Sequence, residues 1–385
     1  WIQQDDEERT NKSMFRALED WPAPNQFRAG SGYPGAQYWQ QRADYINETS
    51  LDTVNHRVSG TERITYHNNS PDVLRFLWIQ LDQNVRSLEH SRTYEALGAL
   101  PENISEMPPP VQQFLGAAPF DGGYDISRVQ LVARGGAGAG GRPLGSGTLT
   151  DAEYRINNTI MRVELPEPLE PGGVQELEID WEFNVHDNGM RGGRELVSDG
   201  WIYEMAQWVP RMSVYDDVNG WQTDQFFGRG EFYLEFGNYD VKITVPADHI
   251  LEATGVLQNP GDVLTGEQLD RLDRAYQSES PVYIVGPEEV LTAASRPVQS
   301  GMLTWHFLAE EVRDFAWASS KTYVWDAAGF RYPGDDRVIA AHSMYPRDAM
   351  PLWNDISTAA VIQTLKTYGE MAFEYPYPKA SNVNG

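Results

Sequence analysis

The sequence predicts a mainly β fold with a short α/β portion at its carboxyl end, and three observations support this prediction. With 41% hydrophobic and 12% aromatic residues among 385, the chain has enough apolar side chains to fill the cores of two or three domains. From Tyr38 onward, short apolar runs are separated by turn residues, which is typical of β-rich domains. Two segments with helical periodicity interrupt this pattern, and the longer one lies near the carboxyl end.

The clearest predicted strand is 174–185, where apolar and polar residues alternate. One of its faces is therefore expected to be buried and the other exposed to solvent, because successive side chains of a strand point to opposite sides. The apolar face consists of Leu177, Ile179, Trp181, Phe183 and Val185. The segment 159–165 precedes this strand across Pro171, Gly172 and Gly173, and the Gly-containing loop predicts that the two strands form a hairpin.

The first predicted helix begins after Thr265. Thr265 and Gln268 form a capping box, in which each side chain satisfies a free backbone N–H of the other residue. Leu269, Leu272 and Tyr276 then repeat on one face, as an amphipathic helix requires.

The second predicted helix lies near the carboxyl end. We expect Asn354 or Asp355 to be the N-cap of this helix and Gly369 to end it, because short polar residues are favoured at the N-cap and glycine at the carboxyl end of a helix. Its apolar stripe consists of Val361, Leu365, Tyr368 and Ala372.

Composition divides the chain into three segments. Residues 1–35 begin with acidic and amide side chains and continue through repeated proline and glycine, which predicts an extended amino-terminal arm. Residues 36–318 have the β texture described above. The composition shifts around 319–336, so we place the start of a second domain at 319 and assign 319–385 to it.

Charge and composition exclude several classes of function. The chain has 30 Lys and Arg against 56 Asp and Glu, and its formal charge of −26 repels phosphate backbones. We therefore expect no nucleic acid partner. No apolar run approaches the length of a membrane span, so we expect no membrane-spanning segment in this chain. The absence of cysteine excludes disulfides, thiolate metal sites and a cysteine nucleophile.

Motifs for metal, cofactor and nucleophile sites are also missing from the sequence. No two of the seven histidines lie three to five residues apart, and H-E-x-x-H, which places two imidazoles on one helical face, does not occur. Gly136, Gly138 and Gly141 match the letters of a dinucleotide-binding motif, but more glycines and a proline follow where a helix must begin. A G-x-S-x-G nucleophile turn is absent as well.

Several segments together nevertheless resemble one enzyme family. They span residues 36 to 385, and the most similar are 66–70, 74–84, 207–211 with 215–217, 238–246, 368–369 and 374–379. These segments are similar to the amino-terminal half of M1-family zinc metallopeptidases. The resemblance implies a saddle-like β-sandwich domain that leads into a thermolysin-like catalytic domain. It also implies an aminopeptidase activity on peptide substrates.

The same resemblance implies a division of the active site between this chain and residues beyond it. In the family, zinc activates a water molecule and a glutamate acts as general base. Both the exopeptidase motif and H-E-x-x-H are expected after Lys379, and the sequence stops at Gly385. We therefore expect this chain to have neither catalytic residues nor a metal, to be inactive alone, and to need the remainder of the catalytic domain as its partner.

One site residue follows from the resemblance. Gln207 matches a family glutamine that lines the substrate cleft, and its amide can hydrogen bond the amino terminus or backbone of a peptide. A glutamine that satisfies groups at a strand edge is the alternative interpretation of this residue.

Two other kinds of protein remain open at this point. One is a non-catalytic β-sandwich module that binds a peptide or a glycan, for which 12 Trp and 19 Tyr offer stacking surfaces. The other is a non-catalytic homologue of the peptidases. The start at Trp1 and the exported members of the family favour a periplasmic or secreted location.

Overall fold

The computed structural model describes residues 24–87, 120–133, 148–187, 191–226 and 233–384. Most of the predicted arm and the glycine-rich segment 134–147 lie outside the described residues. Within the described ranges the chain is mainly β, and this confirms the predicted fold class. No helix in these ranges has both the length and the apolar character that crossing a bilayer requires.

The strands, in chain order, are β1 (Arg42–Asp52), β2 (Arg57–His67), β3 (Leu74–Gln80), β4 (Asp125–Val132), β5 (Leu149–Asp151), β6 (Tyr154–Asn157), β7 (Ile160–Leu169), β8 (Val174–Asn184), β9 (Gly193–Val197), β10 (Gly200–Met205), β11 (Arg211–Met212), β12 (Tyr215–Asp216), β13 (Gly220–Trp221), β14 (Gly237–Pro246), β15 (Ile250–Ala253), β16 (Val256–Leu257), β17 (Val282–Val285), β18 (Met302–Val312), β19 (Trp317–Ser320), β20 (Tyr323–Phe330), β21 (Ile339–Pro346) and β22 (Lys379–Val383). The α-helices are α1 (Pro260–Val263), α2 (Gly266–Ala275) and α3 (Leu352–Met371).

These strands form four sheets of functional interest. The large sheet has the order β16-β18-β14-β1-β2-β8-β4-β5. The second sheet has the order β15-β19-β10-β9, the third β11-β3-β7-β6, and the last β17-β20-β21-β22. One continuous apolar core joins residues from all four sheets. The strand β19 includes residue 319, where the second domain is predicted to start, and the division into domains stays a prediction.

The predicted strand at 174–185 is confirmed as β8, but the predicted hairpin is wrong. β8 pairs with β2 and β4 in the large sheet, whereas β7 pairs with β3 and β6 in the third sheet. The turn at Gly172, whose φ is 75°, carries the chain from one sheet to the other. Alternation and a glycine-containing loop predict two adjacent strands, but they do not specify which strand each one pairs with.

The first predicted helix is confirmed as α2, including both hydrogen bonds of the capping box between Thr265 and Gln268. The second helix, α3, is real but longer than expected. It begins after Pro351, so neither Asn354 nor Asp355 caps it, and it continues to Met371.

Gly369 lies inside α3 instead of ending it. A Cβ at this position would lie 2.5 Å from Cε1 of Tyr332, so glycine is required here by the close approach of the tyrosine ring. The same ring donates its hydroxyl to the carbonyl oxygen of Leu365 at 2.9 Å. This packing, which no local pattern shows, keeps the glycine within the helix.

Candidate functional site

Gln207 follows β10 in a strained and buried position. Its φ is 54°, in the left-handed region that non-glycine residues rarely adopt, and the residue is 3% exposed. Nε2 of Gln83 donates to the carbonyl oxygen of Gln207 at 2.9 Å. Nε2 of Gln207 itself has no hydrogen-bond partner among the described residues. The structure therefore contains a buried amide donor with its hydrogen-bonding capacity unused.

The chain after Gln207 is held by a buried ion-pair network. Arg211 donates Nη1 to Asp314 at 2.7 Å and forms a second ion pair with Asp82. Burial by itself would lower the pKa of Arg211, but the charges of Asp82 and Asp314 outweigh it and raise the pKa. Trp208 donates Nε1 to the carbonyl oxygen of Phe315 at 2.8 Å. These contacts fix the backbone on which Gln207 sits.

A second polar cluster joins the second sheet to the last sheet. Glu252 on β15 accepts from Nδ1 of His342 on β21 at 2.9 Å and forms an ion pair with Lys379 on β22. Lys379 also donates to the carbonyl oxygen of Ala253 at 2.7 Å. Burial would raise the pKa of Glu252, but Lys379 and then His342 outweigh burial and lower it to about 2. The carboxylate is therefore charged and paired.

Glu204 on β10 lies in the same row of the second sheet as Glu252. Both residues are opposite Ala318 of the central strand β19, one on each side. Directly opposed residues of antiparallel strands share a face, so both carboxylates point toward the last sheet. Glu204 is half-buried, and burial raises its pKa.

An apolar groove lies between α3 and β22. Its volume is about 810 Å³. It is lined by residues of α3, the following loop and β22, among them Val361, Leu365, Tyr368, Phe373 and Ala380. Tyr368, Met371 and Phe373 are 65%, 78% and 73% exposed. A continuous exposed apolar face of this kind marks an interaction site.

The described residues do not fit a zinc ion. Five histidines hydrogen bond to other side chains, and their partners are Tyr203 for His56, Asp44 for His67, Ser319 for His249, Asp240 for His306 and Glu252 for His342. No three histidine, aspartate or glutamate side chains in the described part of the chain converge to hold a metal ion.

Sequence reasoning singled out Gln207 and missed Glu204, Glu252 and His342. Lys379 lies in the segment 374–379, which resembles the peptidase family, but nothing in that segment indicates an ion pair with Glu252. The strand-like segments 200–205 and 250–253 contain Glu204 and Glu252, but their sequences do not show which sheet these side chains face. Every described tryptophan is buried or half-buried, whereas Tyr33, Tyr233 and Tyr368 are exposed, so the binding module stays an open alternative.

Comparisons with known proteins identify similar solved structures. The sequence matches no known family profile and no curated protein. A mutant of a two-domain M1 zinc metallopeptidase bound to L-tryptophan matches at 11% identity with a TM-score of 0.48, covering 91% of this chain and 58% of that one. The M1 zinc metallopeptidase from Deinococcus radiodurans matches at 10% identity with a TM-score of 0.46, covering 91% and 57%. A mutant of the Deinococcus radiodurans enzyme bound to a Tyr-Ser-Ala substrate matches at 11% identity, also with a TM-score of 0.46. The chain spans 58% of the length of the first of these structures.

Proposed function

We propose that this chain is the amino-terminal portion of an M1-like zinc aminopeptidase and that it forms one wall of the cleft that binds the peptide. The observation that supports this most directly is the buried, unpartnered amide of Gln207. The proposal includes inactivity of the 385-residue chain by itself, because H-E-x-x-H does not occur in its sequence. A periplasmic or secreted location belongs to the same proposal.

The amide of Gln207 is costly to the folded chain unless it binds something. A buried donor without a partner costs about 1–3 kcal/mol, and a left-handed backbone costs a further amount of about the same size. The first of these costs is removed when a ligand supplies an acceptor, and the backbone carbonyl of a peptide is such an acceptor. We therefore assign Nε2 of Gln207 to a hydrogen bond with a carbonyl oxygen of the bound peptide.

The apolar groove beside α3 supports the proposal that this chain is one portion of a larger enzyme. The groove and the exposed Tyr368, Met371 and Phe373 need a cover, since an exposed apolar face of this size is unfavourable in water. β22 is an edge strand whose free side is next to this region. The remainder of a thermolysin-like catalytic domain is the cover that we propose.

The test uses the complete protein, expressed from the gene with the codons that follow residue 385. We expect one bound zinc per complete chain and hydrolysis of aminoacyl anilides, with neither property in the 385-residue chain. In the complete protein, Gln207→Ala is expected to lower kcat/KM about tenfold or more, because a lost hydrogen bond in a dry site costs about 1.5 kcal/mol or more.

Gln175→Ala is the matched control. Gln175 is also 3% exposed, and it donates to the carbonyl oxygen of Val132 in the large sheet at 3.0 Å. We expect this variant to lose stability and to keep its kcat/KM. Unchanged kcat/KM in Gln207→Ala contradicts the role of Gln207, and a complete protein without zinc or hydrolysis contradicts the proposed enzyme.

A further inference from the structure

Several buried side chains on the inner face of the large sheet have polar atoms without a hydrogen-bond partner among the described residues. Asn47 and Glu62 are 0% exposed and Thr49 is 4% exposed. Both polar atoms of the Asn47 amide, both oxygens of the Glu62 carboxylate, the hydroxyl of Thr49 and Nε1 of Trp181 are without a partner in this part of the chain. Buried polar groups are nearly always hydrogen-bonded, so this cluster points to a bound species that supplies the partners.

The strand register brings these groups together. Asn47 on β1 lies directly opposite Glu62 on β2, and Thr49 lies opposite Gly60. Directly opposed side chains have Cβ atoms about 5 Å apart, and residues two apart on a strand share a face. Gly60 in turn lies opposite Trp181 on β8. The amide, the carboxylate and the hydroxyl therefore belong to one small block of the sheet.

Gly60 makes room for the hydroxyl in this block. A Cβ at this position would lie 2.4 Å from Oγ1 of Thr49 and 2.9 Å from Cζ2 of Trp181. Such contacts are too close for a side chain, so glycine is required for the observed position of the hydroxyl. The block thus combines two oxygens of Glu62, Oδ1 of Asn47 and Oγ1 of Thr49, and oxygen atoms of these types are ligands for hard cations.

The charges around the block leave Glu62 without compensation. Arg211 is the base whose charge acts on Glu62, and it already forms ion pairs with Asp82 and Asp314. Two carboxylates therefore share one guanidinium group before Glu62 is considered. Burial raises the pKa of Glu62, and the charge of Arg211 opposes this only in part. A buried carboxylate without compensation is strongly unfavourable, so Glu62 requires a cation or a proton.

A cation satisfies this block better than a proton does. A protonated carboxyl group needs an acceptor for its O–H, and neither oxygen of Glu62 has a hydrogen-bond partner among the described residues. A cation compensates the charge and also coordinates the oxygens of Asn47 and Thr49. Water molecules beside it accept from Nδ2 of Asn47 and Nε1 of Trp181. The block contains a single carboxylate, and this matches a single positive charge.

We propose that this block is a buried site for a monovalent cation, Na⁺ or K⁺. Glu62 is its anionic ligand, and Asn47 and Thr49 are its neutral oxygen ligands. The ion stabilises the folded chain, because the site exists only when β1 and β2 are paired. This site does not depend on the proposed peptidase function.

The experiment measures the free energy of unfolding of the full chain by urea titration at pH 7 in NaCl, KCl, CaCl₂ or choline chloride at constant ionic strength. Choline is too large for the site, and it keeps the screening of surface charges the same. Above the Kd, a tenfold increase in Na⁺ or K⁺ is expected to raise the folding equilibrium constant tenfold, or about 1.4 kcal/mol. The salt with the larger effect identifies the ion.

Glu62→Gln is expected to abolish the dependence on the cation. In choline chloride this variant is expected to be at least as stable as wild type, because it does not bury a charge. Thr49→Val keeps the size of the side chain and removes one ligand, so it is expected to need about fivefold more cation for the same rise in stability.

Glu178→Gln is the matched control. Glu178 is a buried acid on β8, on the opposite face of the same sheet, and it is paired with Arg63 and Arg128. We expect this variant to lose the same stability in every salt and to keep the response of wild type to the cation.

Equal stability of wild type in NaCl, KCl and choline chloride overturns the site. A response to Na⁺ or K⁺ that persists in Glu62→Gln also overturns it, and stabilisation by Ca²⁺ alone contradicts a monovalent ion. If Glu62→Gln does not fold, the salt series with wild type and Thr49→Val decides the same question. None of these measurements involves peptide hydrolysis, so failure of the proposed function leaves their outcome unchanged.

Discussion

Glu252 and Glu204 occupy equivalent places in one sheet and have opposite environments. Each is opposite Ala318 and directed toward the last sheet. Glu252 meets Lys379 and His342 there, and its pKa falls to about 2, whereas burial raises the pKa of Glu204. The strand that carries an acid does not decide its state. The residues that the next layer brings against it do.

This difference separates structure from function within one row of residues. A buried acid with its cation is a fixed structural contact, and removal of one partner leaves an uncompensated charge. A half-buried acid without a cation contributes little to folding and is available to a ligand. Three stability measurements test this contrast, from the largest expected effect to the smallest.

The largest effect is expected for Lys379→Met. This variant keeps the apolar part of the side chain and removes the ammonium group, which leaves Glu252 buried and short of its main partner. We expect the free energy of unfolding to fall by about 3 kcal/mol, measured by urea titration at pH 7. Lys242→Met is the control, since Lys242 pairs with the exposed Glu48, and it is expected to cost less than about 1 kcal/mol.

Equal losses in the two lysine variants would show that burial does not distinguish these ion pairs. The dependence of stability on pH below 4.5 gives a second test. The folded pKa of Glu252 is about 2, below its ordinary 4.5, so its contribution is complete above pH 4.5 and is lost as the pH falls toward 2. This loss is expected to be smaller in Lys379→Met.

The next effect concerns Glu235, a half-buried acid that forms no ion pair with another described residue, although the charge of Arg313 acts on it. Burial, and then the charge of Asp216, raises its pKa from 4.5 to about 8. The unfolded chain therefore releases this proton first, so the contribution of Glu235 to stability is complete below pH 4.5 and is lost as the pH rises to 8. The expected slope is about 1.4 kcal/mol per pH unit within that window.

Glu235→Gln is expected to remove this slope, because glutamine keeps the shape of the protonated acid and does not titrate. Urea titrations of wild type and variant at pH 5, 6 and 7 measure it. If the free energy of unfolding of wild type and of the variant changes with pH in the same way between pH 5 and 7, Glu235 is charged in the folded chain and the prediction is wrong.

The smallest effect is expected for Glu204→Gln. No ion pair is lost, so the free energy of unfolding at pH 7 should change by less than about 0.5 kcal/mol. The same urea titration measures it beside Lys379→Met. A loss of several kcal/mol would mean that Glu204 is a structural acid like Glu252, and the contrast between them would fail.

Local patterns predicted those elements whose structure depends on neighbouring residues in the chain. The alternation at 174–185 and the capping box at Thr265 both correspond to what the structure contains. The hairpin between 159–165 and 174–185 and the exit at Gly369 were wrong, because a different sheet and the ring of Tyr332 decided them. Both errors concern contacts between residues that are distant in sequence.

The candidate site was predictable only in part for the same reason. Gln207 was recognised from the letters around it, but its left-handed backbone and its unpartnered amide depend on the contacts of Gln83, Trp208 and Arg211. Nothing in the sequence near Glu204 or Glu252 distinguishes the two acids. Their difference requires residue 379 to lie beside residue 252.

The sequence by itself determined the mainly β class, the strong negative charge, the strand β8, the helix α2, and the resemblance that singled out Gln207. The fold class, the charge and these elements follow from composition and short-range periodicity, whereas Gln207 was singled out by the resemblance to a known family. The tertiary structure alone decided which strands pair, which acids are neutralised and which polar groups are left for a ligand. Those outcomes depend on burial and on the partners that folding brings together, because the cost of a charge is set by the groups that surround it.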